Sequence, residues 1–266
     1  YLQHGFVHSP YTALSGFFKL MPGHFIRVKF ADGFAQIRQE RFYEIKCSDG
    51  FEKPLREEEA QARLEEILSH SVKAHCLSDV PVGAFLSGGV DSSLLAALMA
   101  RTNGNVKTFS IGFSGARAGL DESAHARKVA KFLGTEHEEL VLPANVLGDI
   151  PRSLLAQDEP IADSAILPTY LLAAHAKRFV KVALSGEGGD ELFAGYGRYK
   201  AAYLSYKIGK LPEFIRPLAA AAARKLGKDS RFKKIPIKSV GEWKESFRHC
   251  DAQTAGKYFT ADAAAA

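Results

Sequence analysis

Apolar and polar positions divide the chain into short buried runs that end in glycine-rich turns. Val80 to Leu86 is almost continuously apolar and reads as a buried strand. It stops at Ser87-Gly88-Gly89, and an apolar-periodic stretch from Leu94 to Met99 follows, so the local order is strand, tight turn, helix. Val106 to Phe113, His137 to Leu142 and Val180 to Leu184 predict three more strands. Helices are predicted from Asp121 to Leu133, from Pro143 to about Gln157 and from Ala165 to Arg178, with Pro160 and Pro168 bracketing a turn. Asp121 opens the first of these and Gly134 follows its end. Leu55 to Cys76 reads as an amphipathic helix with Ala60, Leu64, Ile67, Leu68 and Val72 on one face. Upstream, Phe25 to Phe30 alternates, Ala31-Asp32-Gly33 turns, and Gln36 to Tyr43 returns as a hairpin that is marginal alone. Downstream, Lys200 to Lys234 is basic and helical, Ala219 to Leu226 is an alanine-rich helix, and Trp243 and Phe247 predict one more. Strands alternating with helices predict an α/β fold, a parallel sheet flanked by helices.

The turns carry the candidate chemistry. Gly88 and Gly89 let the backbone bend sharply and approach a ligand. The turn then aims free N–H groups and the positive end of a helix at one spot, with Ser87, Ser92 and Ser93 adding hydroxyls, a nest suited to phosphate or pyrophosphate. No Gly-Lys-Ser/Thr follows, so this is not a Walker A loop. Asp91 stands there instead, and a carboxylate beside phosphates implies magnesium between them. The other reading is an ordinary turn with Asp91 and Ser92 as caps. The strand ending at Leu184 runs into a second such turn, Ser185 to Tyr196, carrying Glu187, Asp190 and Glu191. Both turns at one sheet edge would let Asp91 and Asp190 share one ion; the competing reading of the second is a flexible acidic loop. Ser110, Ile111 and Gly112 fall at a strand end, where a base could rest on backbone. Asp121-Glu122 is read as a helix cap, Phe193, Tyr196 and Tyr199 as packing, and His70 and His75 as helix-end residues without catalytic role.

Composition changes this picture little. The 266 residues are 46% hydrophobic and 24% charged, enough for one sizeable domain plus an appendage. A net charge of +5 fits an anionic ligand, but the basic run from Arg224 to Lys234 is read as a solvated face and not as a nucleic-acid site. Cys47, Cys76 and Cys250 are far apart, which argues against a zinc site or a disulfide framework and for free thiols in the cytoplasm. No apolar run is long enough to span a bilayer and no signal peptide is visible, so no membrane role is expected. The chain opens at Tyr1 without Met, so a fragment or processed piece is expected.

The first turn resembles the PP-loop of the ATP pyrophosphatases, which cleave ATP between the α- and β-phosphates. Its surroundings resemble one branch, the synthetase domain of glutamine-dependent asparagine synthetases. The resemblance rests on VPVGAFLSGGVDSS, TFSIGF, DESAHARKVAKFLGTEHEE, DEPIAD, PTYLLAAHA and VKVALSGEGGDELFAGY, and it runs from residue 1 to about 200. It implies a division into residues 1–45, the end of a glutaminase domain with a joining hairpin; 46–56, a linker; and 57–266, an ATP-binding synthetase domain incomplete at its C-terminus. It implies that Leu86, Ser87, Gly88, Gly89, Asp91 and Ser92 bind ATP, with Ile111 against the adenosine and Ser185 and Gly186 beside the nucleotide and acyl-adenylate. Asp91 and Asp190 would be magnesium ligands, and Asp190 and Glu187 catalytic, Glu187 in adenylate formation or ammonia attack. Aspartate would be the acceptor, and ammonia would come from a glutaminase domain absent from this chain. The family's later RVPFLD-type segment with its lysine is not found either. A homodimer is left open. Three alternatives stay open: an asparagine-synthetase-like amidotransferase or β-lactam-synthetase-like ligase with another acceptor; a tRNA-modifying PP-loop enzyme, disfavoured by the absence of cysteine pairs; and a non-catalytic nucleotide-binding remnant.

Overall fold

The computed structural model describes residues 1, 4–31, 33–45, 55–114, 121–143 and 146–226. The predicted helix at Trp243 and Phe247, most of the basic run, the hairpin's Asp32, and Cys47 and Cys250 lie outside these residues.

Two strands, β1 (His24–Ala31) and β2 (Phe34–Arg41), pair antiparallel as the predicted hairpin. Ile26, Val28, Phe30 and Ile37 share one face of it, and all four are exposed. The N-terminal segment is tied to the body elsewhere: Lys19 Nζ lies 2.6 Å from Glu159 Oε2, and the Ala162 amide donates to the Gly5 carbonyl at 2.7 Å.

The body is a four-stranded parallel sheet with helices on both faces, as the alternation of elements predicts. Helix α1 (Glu57–His75) leads to β3 (Val82–Phe85), α2 (Val90–Asn103), β4 (Lys107–Phe113), α3 (Ser123–Leu133) and β5 (Glu136–Leu142). A 3-10 turn (Val146–Asp149), α4 (Ile150–Leu155), α5 (Ile166–Ala176), β6 (Val182–Leu184), α6 (Gly189–Leu192), α7 (Gly197–Gly209) and α8 (Arg216–Leu226) follow. The strand order is β5-β4-β3-β6. The chain therefore builds outward from β3 on one side, then returns and adds β6 on the other. That reversal is the switch point where ligands bind in open α/β sheets.

Side-chain alternation along the strands builds two cores. Phe109 of β4 packs with Leu172, Ala176 and Val180 on the α5 face. On the other face Ala84 joins Val72, Leu98 and Met99, while Leu86 joins Ala96, Ala126 and Ala130. The helix predicted from Pro143 to Gln157 is instead a 3-10 turn followed by the short α4. Pro151 explains the break. It lacks an N–H and its ring obstructs the preceding turn, so it starts a helix rather than continuing one. Pro168, read as closing a turn, lies in the first turn of α5 for the same reason. On α1 the predicted apolar face is used only in its C-terminal half. Val72 is buried and Leu68 packs on the same core, whereas Leu64 and Ile67 stay exposed. No described helix is long and apolar enough to cross a membrane.

Candidate functional site

Strands β3 and β6 are hydrogen-bonded neighbours, with Val82 opposite Val182 and Ala84 opposite Leu184. Their chains leave the sheet side by side, so the two glycine-rich turns are neighbours by construction. The Leu86 amide donates to the Phe109 carbonyl at 2.8 Å, holding the first turn to β4. Within it the serines tie entry to exit. The Ser87 amide donates to Ser92 Oγ at 3.2 Å, the two hydroxyls are 3.0 Å apart, and Ser92 Oγ donates to the Gly89 carbonyl. Gly89 caps α2 with extended backbone, so the first amides of α2 face the turn.

Gly88 has φ +83°, and a Cβ there would come within 2.7 Å of the Ala126 nitrogen and of His125 Cβ. The first turn of α3 therefore presses directly on the loop. The second turn presses from the other side. A Cβ on Gly186 would sit 2.8 Å from the Ser92 amide nitrogen, and one on Gly189 would sit 2.7 Å from Asp91 Cγ. The Asp91 carboxylate thus lies against the backbone that carries Asp190. The second turn has its own support: the Glu187 amide donates to Ser185 Oγ, and Tyr196 Oη donates to Glu191 Oε1 at 2.9 Å. That bond, followed by partial desolvation and the charges of Glu191 and Asp190, raises the Tyr196 pKa. The Arg198 guanidinium lies 4.1 Å from the Tyr196 ring centroid.

Together the turns wall a cleft of about 470 Å³ at the carboxyl ends of the strands. Leu86, Ser87, Gly89, Asp91 and Ser92 line it from the first turn, and Ser185, Gly186, Glu187 and Asp190 from the second. Ile111 lines it from β4. Gly88 is the exception among the predicted residues. It is turned toward α3, and its contribution is to let the loop lie against that helix. Glu122, Thr169 and Tyr196 also line the cleft and were not predicted as site residues. Glu122 had one signal, its place beside the helix-opening Asp121; in the structure Glu122 is itself the cap residue, and Asp121, one position earlier, accepts the Ser123 amide at 3.0 Å. Tyr196 had its place in the aromatic patch, and Thr169 had no signal.

Among the described residues the lining carries four carboxylates, Asp91, Glu122, Glu187 and Asp190, and no Lys, Arg or His. Such a cleft repels a polyphosphate unless a cation accompanies it. Among the described residues no group of three or more His, Cys, Asp or Glu forms a metal cage. Two carboxylates on adjoining turns suit magnesium, which is usually held by one or two carboxylates and completed by phosphate and water. A second, mainly apolar hollow of about 300 Å³ lies between α1, α2 and α6 and shares Asp91, Ser185, Gly186 and Glu187 with the first.

Comparison with known proteins places this geometry in a family. The asparagine synthase family model matches residues 63–258. Asparagine synthetase [glutamine-hydrolyzing] 1 of Bacillus subtilis is 35% identical over 186 residues, 69% of this chain and 29% of that protein. A Mycobacterium bovis protein provisionally named asparagine synthetase [glutamine-hydrolyzing] is 36% identical over 234 residues, 86% of this chain and 35% of that protein. The chain thus spans about a third of the length of these relatives. Among solved structures, an NH3-dependent NAD synthetase from Campylobacter jejuni matches 51% of this chain and 60% of its own at 19% identity, with a TM-score of 0.36, too loose a likeness to bear on the site. The family match covers more than half of the sequence and includes both glycine-rich turns: the chain belongs to the asparagine synthase family.

Proposed function

We propose that this chain is the ATP-handling part of a ligase that converts a carboxylate to an amide with release of AMP and pyrophosphate, and that the carboxylate is the side chain of aspartate. One observation carries the reading: the Asp91 carboxylate packs on Gly189, so two acid-bearing turns close over one cleft at the switch point of the sheet. Family membership supports the amide chemistry.

In this reading ATP lies with its adenine toward Ile111 and its phosphates over the first turn. A carboxylate oxygen of aspartate attacks the α-phosphorus, the α–β bridge bond breaks, and pyrophosphate leaves. Negative charge grows on the leaving group. The Gly89 region amides, the Ser87 and Ser92 hydroxyls and the N-terminus of α2 stabilise it from fixed positions. Asp91 and Asp190 would hold magnesium, which when bound offsets the repulsion between phosphates and the four carboxylates. Ser185 and Gly186 wall the aspartyl-AMP. Ammonia attacks its acyl carbon, Glu187 orients ammonia and takes its proton, and AMP departs. Ammonia would be supplied from glutamine by a glutaminase domain, and the reaction fits the cytoplasm.

The test is pyrophosphate release by the full-length protein with ATP, magnesium and ammonia. Release that depends on aspartate, with asparagine as product, is expected. Release that needs a different carboxylate would keep the chemistry and replace the acceptor. ATP binding without turnover on any carboxylate would leave only a nucleotide-binding remnant.

A further inference from the structure

Three of the four cleft carboxylates sit on the glycine-rich turns, where the proposed reaction uses them. The fourth, Glu122, stands apart as the exposed residue that immediately precedes α3. Its backbone carbonyl accepts the His125 and Ala126 amides and so starts the helix. Its carboxylate has no hydrogen-bond or ion-pair partner among the described residues. The neighbouring acids differ: Asp121 is engaged by the Ser123 amide, and Glu139 by Arg127 at 2.6 and 2.7 Å. Arg127, the cation nearest along α3, is thereby occupied.

The position of Glu122 is set by two contacts. His125 and Ala126 press on Gly88 of the first turn. Glu122 lies one helical turn before them, about 5.4 Å along the axis. It faces the same cleft as Ile111 and Phe113 at the end of β4. Ser123, the next residue, abuts the end of β4, where a Cβ on Gly112 would meet Ser123 Cβ at 3.3 Å, so Glu122 is held between the loop of Gly88 and the strand end that would back a base. In a nucleoside triphosphate the group between phosphate and base is the sugar. An ionised carboxylate only accepts hydrogen bonds, so it selects a ligand that offers donors, and two vicinal hydroxyls match its two oxygens.

We propose that Glu122 reads the ribose of the nucleotide, accepting its 2′- and 3′-hydroxyls, and so sets the preference for ribonucleoside over deoxyribonucleoside triphosphates. This rests on the ATP reading given above.

The experiment uses the full-length protein with magnesium and its acceptor. It compares pyrophosphate release from ATP, 2′-deoxy-ATP, 3′-deoxy-ATP and ITP in wild type, Glu122→Gln and Glu122→Ala. A carboxylate-to-hydroxyl bond contributes roughly tenfold or more in affinity, by the magnitude of charge-assisted hydrogen bonds. Wild type is expected to show at least about a tenfold higher KM for the deoxynucleotides than for ATP. Both variants are expected to raise KM for ATP toward the deoxynucleotide value while kcat changes little and the ITP-to-ATP ratio stays as in wild type. Variants that weaken ATP and deoxy-ATP equally would overturn the assignment, because that is what a merely structural glutamate would do. Variants that change only the ITP-to-ATP ratio would move Glu122 to the base and also overturn it. Wild-type protein that releases no pyrophosphate from any of these nucleotides would sink the ATP reading itself, and Glu122 with it.

Discussion

The two glycine-rich turns look alike in sequence and are built differently. The first, between β3 and α2, is anchored at both ends, although Val90 on its outer side is exposed. Leu86 is 1% exposed, Ser92 is buried, its two serines bond each other, and α3 stands against Gly88. The second, between β6 and α7, is carried by a helix of four residues with no buried member. Leu192 there is 79% exposed, and Gly188 has φ +90° with open space around it. One turn is thus a preformed cradle whose shape the core dictates. The other is a lightly held arm that reaches the cradle through Gly186 and Gly189. Preorganised groups belong where charge develops, and lightly held ones where a substrate must enter or leave.

Matched substitutions break or sharpen this contrast. The largest difference is expected at the leucines. Leu86→Ala removes a fully buried side chain and should cost about 2–5 kcal/mol of folding stability, whereas Leu192→Ala should stay within about 0.5 kcal/mol. Urea denaturation of each variant checks it; equal losses would mean that the second turn is as firmly cored as the first. The glycines give a smaller difference. At both Gly88 and Gly188 an alanine pays the left-handed backbone cost of about 1–2 kcal/mol. Only at Gly88 does the new Cβ also meet α3 backbone, so Gly88→Ala should lose clearly more, and should weaken ATP binding as the loop is pushed off α3. A calorimetric melt of the pair and titration with ATP and magnesium read both effects.

The smallest effect lies beneath the first turn. His137 bonds Thr108 Oγ1 at 2.9 Å and Ser110 Oγ at 3.1 Å, flanking the Phe109 carbonyl that anchors Leu86. Burial holds its imidazole below the ordinary 6.5; Glu139 and Glu138 pull it up, and Arg127 pushes it down. A base with a lowered folded pKa is protonated first in the unfolded chain. Its contribution is complete above about pH 6.5 and is lost as pH falls toward the folded value. The wild-type melting temperature should therefore drop more between pH 7 and pH 5 than that of His137→Gln. Parallel curves would remove His137 from the account.

Much of this was legible in the residues, for a physical reason. A buried strand that ends in Ser-Gly-Gly can only turn sharply, and an acid in that turn has few structural uses. The four strands, the helix from Asp121 and the placing of both turns at one sheet edge follow from such signals. What was not legible depends on contacts between distant segments. Nothing local to Gly88 says that α3 will fill the space where its side chain would be. Nothing local to Glu122 says that its helix start lines the same cleft as Ile111. Pro151 did carry a signal, but the apolar periodicity around it suggests a longer helix than its ring allows. The unused half of the α1 face shows the limit of periodicity, which predicts that a face is apolar but not what covers it.

The central claim is that Asp91 and Asp190 act on one ion held against one nucleotide. A double-mutant cycle of Asp91→Ala and Asp190→Ala in the full-length protein, read by titration with ATP at several magnesium concentrations, tests it most directly. If the pair shares the ion, each single substitution should remove most of the magnesium dependence of ATP binding, and the double variant should be little worse than either. Losses that simply add, or magnesium dependence that survives in the double variant, would contradict it.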